Sequence, residues 1–139
     1  MGVMRNVLRW LPAIAHACVL FVLSSQPELR IVSEPALDTI LRKLGHLGAY
    51  ALLAVLVAYA LEGTPGQRRS VLALVLVVAY AGSDELHQAF VPGRTAALSD
   101  VAIDTAGGVI GLVAVAVLSP RLSRGGRQHA PASSPTHGR

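Results

Sequence analysis

The chain has 139 residues, 53% hydrophobic and 14% charged, where a soluble domain carries roughly a quarter charged residues. Aromatic residues make up 4%, so a water-soluble core would have to be built mainly from Ala, Val and Leu, which suit lipid-facing helices better. An ordinary soluble domain is excluded. The net charge of +4 is read from its placement beside apolar segments, and no nucleic-acid partner is expected.

The first apolar run covers residues 10–23, extended backward by Val7 and Leu8 and ended by Gln26 and Pro27. Arg5 and Arg9 give it a basic start, and Ala15, His16 and Ala17 resemble a signal-peptide cleavage triplet. That triplet lies inside the run rather than after it, which favours a retained helix. His16 is read as a packed histidine with one satisfied hydrogen bond. The single cysteine, Cys18, lies in the same run, so no internal disulfide forms.

The second run covers 44–61 and is followed by the turn Gly63-Thr64-Pro65-Gly66. The third covers 71–83 and continues as a polar helix to about Gln88. Pro92 and Gly93 precede the fourth run, 101–118, and Pro120 is expected to close it. A bilayer crossing takes roughly 20 mainly apolar residues, and lipid-exposed backbone must pair within its own segment. The predicted fold is an all-α integral membrane bundle of four transmembrane helices over residues 1–120. Residues 121–139, basic and rich in Ser, Pro and Gly, are expected to be disordered, with His129 and His137 solvated.

Arg5 and Arg9 precede the first run, Arg68 and Arg69 fill the second loop, and Arg121, Arg124 and Arg127 follow the fourth run. The positive-inside rule places all three clusters, and both termini, in the cytoplasm. The first loop (24–42) and the third (89–99) then face outward. Lys43 and His46 begin the second helix on that side. Asp84, Glu85, His87 and Gln88 end the third there, Arg94 sits in the loop, and Asp100 and Asp104 begin the fourth.

At 100° per residue, Lys43, His46 and Tyr50 share one arc of their helix, as do Tyr80, Asp84, His87 and Gln88, and Asp100, Asp104, Gly107 and Gly111. Intramembrane carboxylates cost several kcal/mol and normally face a bundle interior, so these stripes are expected to meet. The pair Gly107 and Gly111, spaced four apart, reads as close helix packing beneath Asp104.

Asp84 and His87, three apart, can hydrogen-bond as a base and its orienter; with Glu85, Asp100 and Asp104 they are the candidate catalytic residues. Lys43 and Arg94 offer cationic donors to a phosphate, and His46, Tyr50 and Gln88 join them as candidate head-group ligands. Arg42 is read as snorkelling to the head-group region. Metal-ligand spacing is missing, and neither a metal nor another cofactor is expected.

The chain resembles the VanZ-like family of small bacterial membrane proteins, named for a teicoplanin-resistance accessory protein. The resemblance rests on Ser24-Ser25-Gln26-Pro27, on Lys43, His46 and Tyr50, and on the stretch from Ser83 through Asp84, Glu85, His87 and Gln88 to Pro92-Gly93-Arg94. Asp100, Asp104, Gly107 and Gly111 complete it. Asp104 departs from the family, which often has Asn there. The resemblance implies a four-helix bundle in the bacterial plasma membrane with a role in the cell envelope or in glycopeptide tolerance. Two functions are therefore expected to compete. One is a site, catalytic or not, for an envelope lipid or lipid-linked sugar. The other is an accessory or scaffold protein whose polar cluster is a structural ion-pair network. A transporter is disfavoured, since no helix is broken at mid-membrane.

Overall fold

The computed structural model describes the backbone of residues 2–27, 31–94 and 96–125, and the side chains of 4–27, 31–94 and 96–118. Four helices follow one another: α1 (Gly2–Ser24), α2 (Pro35–Ala60), α3 (Gly66–Gln88) and α4 (Leu98–Gly125). Each contains a stretch long and apolar enough to cross a membrane, of 21, 26, 23 and 21 residues in turn.

The helices extend beyond their apolar runs because local capping continues them. α2 begins at Pro35, roughly two and a half turns before its apolar run. Glu34 caps it by accepting the Ala36 N–H at 3.3 Å, Pro35 brings a helical φ, and Asp38 lies in the first turn. Arg42 therefore stands on a helix and not in a loop. At the other end of the chain, α4 passes through Pro120 to Gly125, so Pro120 does not close it. A proline forfeits one backbone bond but keeps a helical φ, and α1 likewise runs through Pro12. Residues 126–139, with most of the tail expected to be disordered and both of its histidines, lie outside the described residues.

α2 is the central helix and touches the other three. Its most extensive contact is with α4, where Gly107 and Gly111 lie against the backbone carbonyls of Leu47 and Ala51. A Cβ at either glycine would overlap those oxygens. This is the close packing expected from the pair. The core around it is small: Tyr50, Leu53, Ala54, Val57, Ala73 and Val77 are all buried. Small side chains let helices approach where lipid supplies no hydrophobic drive. α1 is held by polar staples as well. His16 Nε2 meets the Ala49 carbonyl at 3.0 Å, and the Tyr80 hydroxyl donates to the Ala17 carbonyl at 2.6 Å. The outward faces carry Leu11, Ile14, Val22, Leu52, Val75 and Val113, exposed in the manner of lipid-facing side chains.

The two ends of the bundle differ. At one, Arg9 pairs with Glu62 at 2.9 Å. At the other, the ionisable side chains of α2, α3 and α4 collect.

Candidate functional site

The site is built from the C-terminal ends of α1 and α3 and the N-terminal ends of α2 and α4. Antiparallel neighbours bring those ends to one depth. Three carboxylates define the site.

Asp100, in the first turn of α4, is the outermost. Its Oδ1 lies 3.1 Å from Lys43 Nζ and receives the Ser99 hydroxyl at 3.3 Å. One turn deeper, Asp104 Oδ1 lies 3.2 Å from His46 Nδ1, and Asp104 is only 1% exposed. With Asp104 ionised, Nδ1 is the donor, and in the neutral ring Nε2 then keeps its lone pair. The His46 ring also stacks on Tyr50, with centroids 6.3 Å apart.

Asp84 is the third, and 3% exposed. Three neutral donors converge on its Oδ2: the Ser24 hydroxyl at 2.8 Å, Gln88 Nε2 at 3.0 Å and the Tyr50 hydroxyl at 3.2 Å. Its Oδ1 is buried, and no donor among the described residues reaches it.

The expected pairing of Asp84 with His87 is not formed. His87 turns toward α1, where its ring stacks on Phe21 at 4.5 Å between centroids and Nε2 lies 3.0 Å from the Ser25 hydroxyl. That hydroxyl already gives its one hydrogen to the Phe21 carbonyl at 2.7 Å, so His87 is the donor. The interhelical contacts outcompete the local spacing of three, and the histidine held by a carboxylate is His46, through Asp104. Glu85 also has a structural role. It accepts the Ala97 N–H just before α4, supplying an acceptor to a helix start that otherwise has orphan donors.

Arg94 is placed by the turn at Pro92-Gly93, where Gly93 has φ 82° and the Arg94 N–H closes onto the Val91 carbonyl at 3.1 Å. The guanidinium reaches back to the carbonyls of Gln26 and Leu23, each at 3.1 Å, and to Gln88 Oε1 at 3.3 Å. It forms no ion pair among the described residues. Arg42, read from the sequence as a snorkelling residue, pairs instead with buried Asp38 at 3.0 Å. Asp38 also accepts the backbone N–H groups of Ile31 at 2.6 Å and Val32 at 3.2 Å, tying the first loop to α2. Sequence reasoning passed over Asp38 and misplaced Arg42; the opposite charges spaced four apart were the available signal.

Two cavities open among these side chains. A polar one of about 170 Å³ is bordered by Arg42, Lys43, His46, Gln88, Arg94 and Asp100. A larger, mainly apolar one of about 370 Å³ is bordered by Leu20, Leu23, Ile31, Ala49, Tyr50 and Asp84, among others. Arg42, His46 and Arg94 line both. His87 and Glu85 border neither of the two, while Asp104 touches them only through His46. No group of three His, Cys, Asp or Glu side chains suited to a metal is found among the described residues.

Four membrane-length helices with ionisable groups turned inward at one end define a small multi-pass membrane protein. A family model described as VanZ/LLP1 matches residues 5–119, and the chain belongs to that family. No curated protein and no solved structure matches it.

Proposed function

We propose that this protein binds an anionic amphiphile of the cell envelope, with its head group in the polar cavity and its chain in the apolar one. The observation that carries this reading is that Arg42, His46 and Arg94 line both cavities. Three cationic side chains, Arg42, Lys43 and Arg94, border the polar space, and aliphatic side chains of α1, α2 and the first loop border the adjoining one. An anion with an apolar chain satisfies both at once. Lys43 and Arg42 already have carboxylate partners. Among the described residues Arg94 has neutral acceptors alone, so there its positive charge is the least compensated of the three.

His46 is the side chain placed to move a proton at the head group. Asp104 holds its Nδ1, and the ring borders both cavities. This gives the site general-base capacity, as in hydrolysis or transfer at a phosphate or glycosidic bond. Asp84 borders the apolar cavity, while Glu85 secures the start of α4 and His87 packs on α1 away from both cavities. The positive-inside rule puts the site in the outer leaflet of the bacterial plasma membrane, with both termini cytoplasmic. In that setting the family resemblance adds an expected phenotype, altered tolerance of a lipoglycopeptide such as teicoplanin.

The test is binding of phosphatidic acid, and of a neutral diacylglycerol of equal chain length, to the purified protein in detergent by native mass spectrometry. Phosphatidic acid should be retained preferentially, and Arg94→Gln with Lys43→Met should remove the preference. Equal retention of the two lipids by the unaltered protein would refute the reading.

A scaffold role has its own supporting observation: most polar groups here, including Asp38, Glu85 and Gln88, are satisfied by protein partners. Normal envelope phenotype with a His46→Gln protein that is folded and expressed would favour it.

A further inference from the structure

Arg94 differs from the other cations of the polar cavity in how it is held. Lys43 and Arg42 sit directly on the carboxylates of Asp100 and Asp38, at 3.1 and 3.0 Å. Among the described residues, Arg94 is fixed instead by three neutral oxygens: the carbonyls of Gln26 and Leu23 and the side chain of Gln88. A guanidinium has five N–H donors. These contacts use Nε and one hydrogen on each terminal nitrogen, so each terminal nitrogen keeps a second N–H beyond them.

Gln88 is 4% exposed, and its amide has one orientation. Arg94 only donates, so Oε1 faces it, 3.3 Å from Nη1. Nε2 then faces Asp84 Oδ2 at 3.0 Å and the Ser24 hydroxyl at 3.5 Å. The N–H groups of Gln88 are therefore committed inside the protein. Although Gln88 borders the polar cavity, its contribution to a head group passes through Arg94.

With Asp84 ionised, this amide also stands between two opposite charges. A carboxylate in its place would fix the guanidinium equally well but would offset its charge, as Asp100 does for Lys43. A neutral amide polarised by Asp84 accepts from Arg94 and leaves the cation's charge to an incoming anion. Ser24 and Tyr50 donate to the same Asp84 oxygen and tie this anchor to α1 and α2.

Resting on the anionic-amphiphile reading above, we infer that Gln88 is the positioning residue of the head-group site. It relays the anchorage of Asp84 to Arg94 and aims the guanidinium without neutralising it. Selectivity for an anion over a neutral head group therefore depends on an uncharged side chain that does not itself bind the ligand.

The experiment measures the ratio of phosphatidylglycerol to neutral diacylglycerol, matched in acyl chains, retained by the full-length protein in detergent. Phosphatidylglycerol keeps one negative charge in mildly acidic and mildly alkaline buffer alike. Each variant is compared with the unaltered protein at the same pH, so titration of His46 and Lys43 is common to both. Gln88→Met removes the acceptor and leaves Arg94 charged. Its ratio should fall about tenfold at every pH, the effect of one hydrogen bond to a charged group. Gln88→Glu should fall as far in alkaline buffer, where the introduced carboxylate sits directly on Arg94. In acid its C=O accepts from Arg94 and its O–H donates to Asp84, as the amide does, so the ratio should return toward that of the unaltered protein. A merely structural role would lower retention of both lipids together and leave the ratio unmoved. That result, or an unchanged ratio in Gln88→Met, would overturn the inference and leave the anionic-amphiphile reading standing. So would a Gln88→Glu ratio insensitive to pH, a comparison that holds even if Gln88→Met folds poorly. Absence of any preference in the unaltered protein would overturn both.

Discussion

Replacing Gly107 or Gly111 with alanine tests the contact that positions the site. A Cβ at Gly107 would overlap the Leu47 carbonyl oxygen, and one at Gly111 the Ala51 carbonyl oxygen. Both obstacles are backbone atoms of a helix, so no side chain can turn aside. Restoring ordinary contact requires α2 and α4 to separate by about an ångström. Overpacking of this kind costs about 1–3 kcal/mol per site. The same displacement acts on the polar layer above. His46 and Asp104 are 3.2 Å apart, and the added separation carries them past the roughly 3.6 Å at which a hydrogen bond is lost. Gly107 lies one turn from Asp104, so Gly107→Ala should loosen this pair more than Gly111→Ala does. Thermal unfolding in detergent, followed by circular dichroism, measures the stability; the His46 ring signals in an NMR spectrum report the pair. Gly48→Ala and Gly82→Ala are the controls, because nothing lies within 4 Å of a Cβ there. Those two should melt at or slightly above the unaltered protein, since alanine favours helix over glycine by up to about 1 kcal/mol. If Gly107→Ala and Gly111→Ala melt with the controls, the packing argument and the placement of His46 both fail.

Asp84→Leu strips the acceptor from Ser24, Tyr50 and Gln88; at about 1–3 kcal/mol for each stranded buried group, this variant should be the least stable of the carboxylate series by the same melting measurement. Lys43→Met should barely change melting, because the pair with Asp100 is 44% and 32% exposed at its side chains and such pairs contribute at most about 1 kcal/mol; it should nevertheless weaken binding of phosphatidic acid, an outcome a purely structural network would not give. Arg94→Lys should fail to rescue the loop, since one ammonium cannot span the Leu23 and Gln26 carbonyls and Gln88; hydrogen exchange over residues 89–94 should rise as in Arg94→Gln. For sidedness, on a Cys18→Ser background, Val91→Cys should react with a membrane-impermeant maleimide added to intact cells and Thr64→Cys should not; the reverse pattern would place the site in the cytoplasmic leaflet.

Hydropathy and charge spacing were enough for the four helices, because a bilayer punishes any other arrangement of such apolar runs. They were also enough for the depth of the polar residues: a lysine, two histidines and four carboxylates cannot stand at mid-membrane on lipid-facing surfaces, so they gather at a helix end. The Gly107 and Gly111 contact was legible for a similar reason, since small residues spaced four apart on an otherwise bulky helix make sense mainly where another backbone lies close. Helix ends were less legible. The start of α2 at Pro35 depends on the Glu34 cap and the Asp38 contacts, and the passage of α4 through Pro120 depends on the helix around it; neither registers in hydropathy.

What the residue order determined by itself, then, was which side chains share a face of one helix and at what depth. Tertiary structure alone decided which of them meet. Periodicity fixes direction about a helix's own axis, but a partner depends on how neighbouring helices are rotated and how closely they approach. Asp84 and His87 are neighbours on α3 that separate toward different helices, whereas His46 and Asp104, distant in sequence, are joined because two glycines allow α2 and α4 to touch.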